Sequence, residues 1–508
     1  MTAFLKGRIA SWWAALHPMS FFVIICGIVA VLYFFYRIGL VAYPVVVLSE
    51  NLLHPTHNEA VVCAQDDTKL QDPTPILSAS YQHRLLEQKP LTKNLIENAK
   101  LTKFDASGLP LNYSHSTDAK TSNYQFLKDD GKPFLRAINK KDVPENTPAA
   151  AWLPDTINTN SEATYRYSLE YRSTVPTHIT LETRAVPQGK PGYAYVTTLP
   201  ATKQWQTFTM HVSDVASFRI IASGTEKGQV DTRAFSVQQI PDAQLAKGAV
   251  SVTFDDGWQS VDTVARPLLE KYDIRSTQFI ISDVATRGVS GYMDMNEVVG
   301  LKKAGHEIGS HSLTHCNQTD LNINEITDNA TRSKQSLELS GLGPIKSFAY
   351  PMGQYNDKTQ AIFPKSYDYI RSSDTGYNDR YFDETNIRSM SISNTTSKEQ
   401  FDSWIAWAKE KKQWLVLVYH RVDESGTYNI THDELDRQLG AVAGSGLNIL
   451  PLSEAADAIR AEKSAPQKTP HELPHTGYIE TTSQLLGLGS LTAATTYWHR
   501  SRRKRIGN

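Results

Sequence analysis

Cysteine is scarce in this chain: three residues among 508, at Cys26, Cys63 and Cys316. One of them lies inside an apolar run, so no disulfide framework of the small secreted kind is readable. Net charge is almost absent as well. Fifty-two Lys and Arg against 53 Asp and Glu leave −1, which gives no electrostatic case for nucleic acid. Long apolar runs are equally rare. The conspicuous one, residues 20–48, is interrupted by Arg37 and Pro44 and is preceded by Lys6 and Arg8. Its uncharged part, slightly extended, is long enough to span a bilayer, and the flanking charges put the amino terminus inside and the rest of the chain outside. Val62-Cys63-Ala64 resembles a signal cleavage site but lies too far beyond the run, so an uncleaved anchor is expected. A chain of this length exceeds one core, so two domains plus tails are expected.

What the chain does have is a concentration of metal-type side chains. Thr253-Phe254-Asp255-Asp256-Gly257 offers paired carboxylates, and His311-Ser312-Leu313-Thr314-His315 offers two imidazoles four residues apart. Two histidines and one carboxylate hold a divalent metal while leaving positions for water and substrate. The second carboxylate is then available as a general base. Val250, Val252 and Phe254 alternate with small or polar residues and read as a half-buried strand ending at the aspartates. His306 to Ser310 is a short strand candidate leading into the histidines, and Trp414 to Tyr419 is another leading into His420. Chemistry gathered at strand ends, with helical spacing at Val261, Val264, Leu268 and Leu269, suits an α/β barrel. Other polar residues have structural readings. His306 reads as a core histidine, Cys316 as a small buried side chain, and His432 as the start of a surface helix capped by Thr431. Trp258 and Tyr419 flank the site, either stacking on sugar rings or walling the barrel mouth.

These blocks resemble the NodB-type polysaccharide deacetylases, carbohydrate esterase family four, over residues 246–461. The resemblance implies a distorted (β/α) barrel. It also implies Asp255 as catalytic base, Asp256, His311 and His315 as metal ligands, and His420 of Leu417-Val418-Tyr419-His420 as general acid. Many members carry an arginine in the third block that orients the base. Here Phe348-Ala349-Tyr350-Pro351-Met352-Gly353 has Ala349 in its place, as in the exopolysaccharide-deacetylase-like subgroup. Arg371 is the candidate for the missing cation, and the Met352 backbone N–H is the implied oxyanion donor. The implied reaction is metal-assisted amide hydrolysis releasing acetate. Zinc suits this donor set, and cobalt, nickel and iron also fit.

The flanks carry other signals. Residues 51–92 read as a stalk. Residues 93–242 show short alternating strands, among them Tyr165, Tyr167, Leu169 and Tyr171, and read as an antiparallel sandwich. Their opening resembles jelly-roll carbohydrate-binding modules, with Tyr113 where those usually show tryptophan. In residues 462–508 a linker leads to Leu473-Pro474-His475-Thr476-Gly477, similar to the sorting signal cut by sortases, then an apolar tract and a basic tail. The whole reads as a transmembrane anchor on residues 1–50, a sandwich, and an extracellular metal-dependent deacetylase. Its expected partners are an N-acetylglucosamine polysaccharide, the membrane, and sortase with peptidoglycan. An O-acetyl polysaccharide esterase and a non-catalytic glycan-binding adhesin stay open as alternatives.

Overall fold

The computed structural model describes residues 77–462, apart from 117–119, 145–147 and 185–191. The expected membrane anchor and the sorting motif lie outside them. No helix among the described residues is long and apolar enough to cross a membrane.

Seven parallel strands close into a barrel. They are β1 (Ala249–Phe254), β2 (Thr277–Ile280), β3 (Glu307–Ser310), β4 (Ser347–Ala349), β5 (Tyr369–Thr375), β6 (Ile387–Ser391) and β7 (Trp414–Tyr419). Closure happens at β1, which pairs with β7 along its whole length and with β2 at Thr253 and Phe254. A short β8 (Asn448–Ile449) adds to the start of β1. All six residues of β1 are buried, not half of them. Helices cover the outside of a parallel barrel and side chains fill its inside, so neither face of the strand meets water. The polar members of β1 are satisfied within the protein: Ser251 donates to the Leu450 carbonyl at 2.7 Å and Thr253 to the Leu417 carbonyl at 2.9 Å. Val250, Val252 and Phe254 are essentially inaccessible, and burial at that level stabilises by about 1.5–3 kcal/mol per side chain.

Outside, the helix Ile323–Leu337 illustrates why these segments are helical. Asn322 and Glu325 form a reciprocal capping box, and Ile326, Ala330 and Leu337 return to the inner face. After β1, Val261–Ala265 forms a wide π-type turn before the helix Arg266–Lys271 begins at its proline.

Ahead of the barrel lie two antiparallel sheets. The five-stranded sheet runs in the order Ser122–Asp129, Lys132–Asn139, Gly228–Ile240, Thr164–Ser173, Thr202–Val212. The four-stranded sheet runs Ile157–Asn158, Ser217–Ser223, Thr177–Arg184, Gly192–Leu199. Tyr165, Tyr167, Leu169 and Tyr171 from one sheet share a core with Ile179, Phe218 and Ile220 from the other.

Part of the expected stalk is ordered structure. Ala79–Glu87 is a helix capped by Ser78, and it is bonded on two sides. Toward the sandwich, Arg166 donates to the carbonyls of Leu85, Leu86 and Gln88. Toward the barrel, Ser80 and Arg84 donate to Glu384, and the Ser78 N–H donates to Asp383. The composition is polar because the partners are polar, which is why it reads as a solvated stalk.

Candidate metal and catalytic site at the barrel mouth

Most functional candidates sit where β1, β3 and β7 run out, and Arg371 lies within β5. Asp256 follows β1 with φ +73°, and Gly257 with φ +80° completes the reversal. A Cβ on Gly257 would come within 3.2 Å of Ile280, so this turn needs glycine for both conformation and space. The histidines follow β3 in a loop, not on a helix. Positive φ at Ser312 (+70°) and His315 (+62°) folds the segment back, and the His311 and His315 rings come to 4.9 Å between centroids.

Asp256, His311 and His315 form a buried group whose ligand atoms lie within 4.8 Å of one another. Asp256 Oδ1 is 3.3 Å from His311 Nε2 and 3.1 Å from His315 Nε2. His311 Nδ1 lies 2.9 Å from the Ala349 carbonyl. A carbonyl only accepts, so Nδ1 carries the proton and Nε2 turns a lone pair toward Asp256. Asp256 Oδ1 is buried and has no hydrogen-bond partner. A lone pair facing a carboxylate oxygen is a repulsive pair until a cation joins them. The residues present therefore fit a divalent metal, and Ala349 supplies the outer support that a ligating imidazole needs. Burial alone would favour the neutral acid at Asp256, but donation and positive charge from protonated imidazole edges, the role a bound cation would take over, hold its carboxyl well below the usual range. Burial likewise depresses His315, yet the Asp256 carboxylate outweighs it and the net shift is upward.

Beside this group stands the second carboxylate. Asp255 Oδ2 accepts a hydrogen bond from Arg371 Nη2 at 2.5 Å, with both side chains buried. The register explains the pairing: β4 and β5 align Ala349 directly with Arg371. A guanidinium carried on β5 thus reaches the base from the strand beside Ala349. His420 Nε2 lies 3.8 Å from the same Asp255 oxygen. Burial pushes the His420 imidazole below its usual range, and the Asp255 and Asp256 carboxylates oppose this without cancelling it. Met352 follows β4 with φ +56° in the turn Pro351–Gly353, beyond this hydrogen-bonded group.

Comparison with known proteins finds a family resemblance in part of this barrel. Residues 242–367 match the family model described as polysaccharide deacetylase. That match takes in β1 to β4 and the aspartate and histidine pairs that follow β1 and β3. Among curated relatives, the Bacillus subtilis polysaccharide-deacetylase homologue YxkH is 25% identical over 124 residues, covering 24% of this chain and 44% of that protein. A bifunctional xylanase/deacetylase of Pseudobutyrivibrio xylanivorans is 25% identical over 108 residues, covering 21% of this chain and 17% of that protein. The chain thus spans less than half the length of either. Among solved structures, a family 4 carbohydrate esterase from Streptomyces lividans in complex with acetate is 20% identical with TM-score 0.29, over 40% of this chain and 91% of that one.

The structure also decides among the sequence readings of several other barrel residues. Tyr419 is 1% exposed and donates to Gln438 at 2.8 Å, so it is core and presents no face to a sugar. Trp258 is also covered, with Tyr292 stacked at 4.1 Å and the Arg421 guanidinium over its ring at 3.6 Å. The free aromatic at the mouth is Tyr428, 54% exposed and tilted against His420 at 5.1 Å. Its only sequence signal was an aromatic residue in a short polar loop soon after a strand end. Cys316, read as a small buried side chain, is disulfide-bonded, and its partner lies outside the described residues. A single long-range bridge has no spacing signature, so composition could not reveal it. His306 accepts from the Ser276 N–H and is buried far from the mouth, at the start of β3.

Proposed function

We propose that this chain is a metal-dependent polysaccharide deacetylase that hydrolyses N-acetyl groups of N-acetylglucosamine-containing envelope or extracellular glycans. One observation carries this reading: a buried Asp256–His311–His315 group lies directly beside an Asp255 carboxylate held by Arg371 and faced by His420.

Asp256, His311 and His315 would hold a divalent cation, which would supply Lewis acidity toward the acetyl carbonyl and the attacking water. The remaining steps belong to the protein. Asp255 takes the proton of the attacking water, and Arg371 fixes which oxygen points inward. His420, 3.8 Å from Asp255 Oδ2, is placed to carry a proton to the departing amine. The Met352 N–H is the donor assigned to the oxyanion. Tyr428, exposed beside His420, offers a face for a sugar ring at the point of cleavage. The products are a free glucosamine unit and acetate.

The extracellular placement read from the amino terminus is supported by the Cys316 disulfide, since such bonds persist outside the reducing cytosol. Within the glycans, peptidoglycan and poly-N-acetylglucosamine are the two leading substrates. The test is acetate release from each by the purified full chain, with and without a chelator. Release from either that stops with chelator and returns with added zinc is the expected result. If the protein binds metal and releases no acetate from these or from acetylated xylan, the reading fails in favour of a non-catalytic glycan-binding protein.

A further inference from the structure

The hydrolytic chemistry of the site leaves one arrangement unexplained: the layered stack Tyr292–Trp258–Arg421 at its edge. Tyr292 lies 4.1 Å from Trp258 with the rings 24° from parallel. Arg421 Cζ stands 3.6 Å from the Trp258 ring centroid. One side of an indole has no room for both groups at those distances, so they occupy opposite faces and leave none for a sugar. The backbone reinforces the stack. The Met293 N–H donates to the Gly257 carbonyl at 2.8 Å and the Gln259 N–H to the Gly291 carbonyl at 2.9 Å. The indole is therefore fixed in position and tilt. Its Nε1–H donates to Asp256 Oδ2 at 2.8 Å.

We infer that Trp258 is a positioning residue for the metal carboxylate, and that the Tyr292–Trp258–Arg421 stack makes Asp256 a one-oxygen ligand. Oδ2 is committed to the indole, while Oδ1 is the buried oxygen turned toward His311 and His315. A free carboxylate can swing between one-oxygen and two-oxygen binding. Holding Oδ2 removes that freedom, keeps a coordination position for substrate, and lowers the ordering cost of binding the metal. Tyr292 comes from the segment between β2 and β3, whereas Arg421 directly follows His420. The stack thereby ties the loop bearing the proton-carrying histidine to the loop bearing the metal carboxylate. This inference rests on the metal reading of Asp256.

The test is zinc affinity of the full chain, measured by competition with a chromophoric chelator, for wild type, Asp256→Ala, Trp258→Phe and Arg421→Met. Trp258→Phe keeps a ring in the stack and loses only the N–H donor. It is expected to weaken zinc binding about 10- to 100-fold, as loss of an outer-shell partner does. Arg421→Met loosens the stack from its outer face and is expected to cost about two- to fivefold. With saturating zinc, Trp258→Phe should lower kcat while leaving KM for the glycan near wild type. Zinc affinity of Trp258→Phe within twofold of wild type, with Asp256→Ala strongly weakened, overturns the inference and leaves the metal reading standing. Wild type that binds no zinc, or Asp256→Ala that binds it equally well, overturns the metal reading and this inference together.

Discussion

At the start of its strands the barrel holds Glu307 with four donors. Thr277, Ser347 and the hydroxyl and N–H of Ser453 all point at its two oxygens. At the other end of the same strands stand Asp255 and Asp256, and each keeps one buried oxygen without a partner. Arg371 Nε and His420 Nδ1 are unpartnered there as well. The saturated carboxylate stitches β2, β3, β4 and the helix Leu452–Ala461 together. The undersaturated pair carries a desolvation cost that the fold elsewhere avoids. Satisfied polar clusters mark where the barrel is held together, and unsatisfied ones mark where something else must complete the set.

The largest effect should come from the mouth. Asp255→Asn is expected to lower acetate release by roughly 100- to 10,000-fold, the range for a lost general base. Zinc affinity should stay close to wild type, because Asp256 and both histidines remain. Retained turnover would show that the unpartnered Asp255 oxygen is not the base. Removing Arg371 asks whether the cation matters to that carboxylate. Arg371→Ala breaks a buried pair and should cost about 3–5 kcal/mol in urea unfolding, with a clear drop in kcat. Because Ala349 lies in register with Arg371, adding Ala349→Arg to that variant should recover part of the rate. No recovery, in a folded double variant, would mean the site reads the position of the guanidinium and not only its charge.

The opposite end should behave in the opposite way. Glu307→Ala strands three hydroxyl donors and one N–H, and is expected to lower stability by about 2–4 kcal/mol. The kcat of the molecules that remain folded should stay within about twofold of wild type. A large kcat loss in the folded fraction would erase the distinction between the two ends.

A smaller effect tests His306 through pH. Burial lowers its pKa from 6.5 to about 4. The unfolded chain therefore binds more protons between those values. Stability is full above pH 6.5 and falls as pH drops toward 4, by at most about 3 kcal/mol. His306→Asn keeps an acceptor for Ser276 and lacks the titration, so its stability should decline less steeply across that window. Equal slopes for the two proteins would assign the acid sensitivity elsewhere.

Much of the site is legible in the sequence, because its signals are local. Asp255 and Asp256 are adjacent, His311 and His315 are four apart, and each group closes a short segment that reads as a strand. Arg371 was legible by subtraction, since the block around Ala349 lacks an arginine. The sandwich strand at Tyr165 to Tyr171 was legible from simple alternation. Other features join residues far apart in the chain, and no local pattern announces them. Trp258 sits two residues from Asp256, yet its role depends on Tyr292 and Arg421 closing on it from two other loops. Tyr419 was open to two readings, a sugar platform or a wall of the mouth, and closure of β1 against β7 made it core. The helix Ala79–Glu87 looked solvated because the Arg84 side chain and the N–H of its cap Ser78 find Glu384 and Asp383 some 300 residues later.

The sequence by itself determined which chemistry this protein carries, because paired carboxylates, imidazoles and a strand-end glycine are fixed by residue type and spacing. Only the tertiary structure decided which of those groups are left short of partners. That outcome depends on which strands become neighbours: β5 beside β4 delivers Arg371 to Asp255, β4 beside β3 gives His311 the Ala349 carbonyl, and the remaining lone pairs are left facing one another.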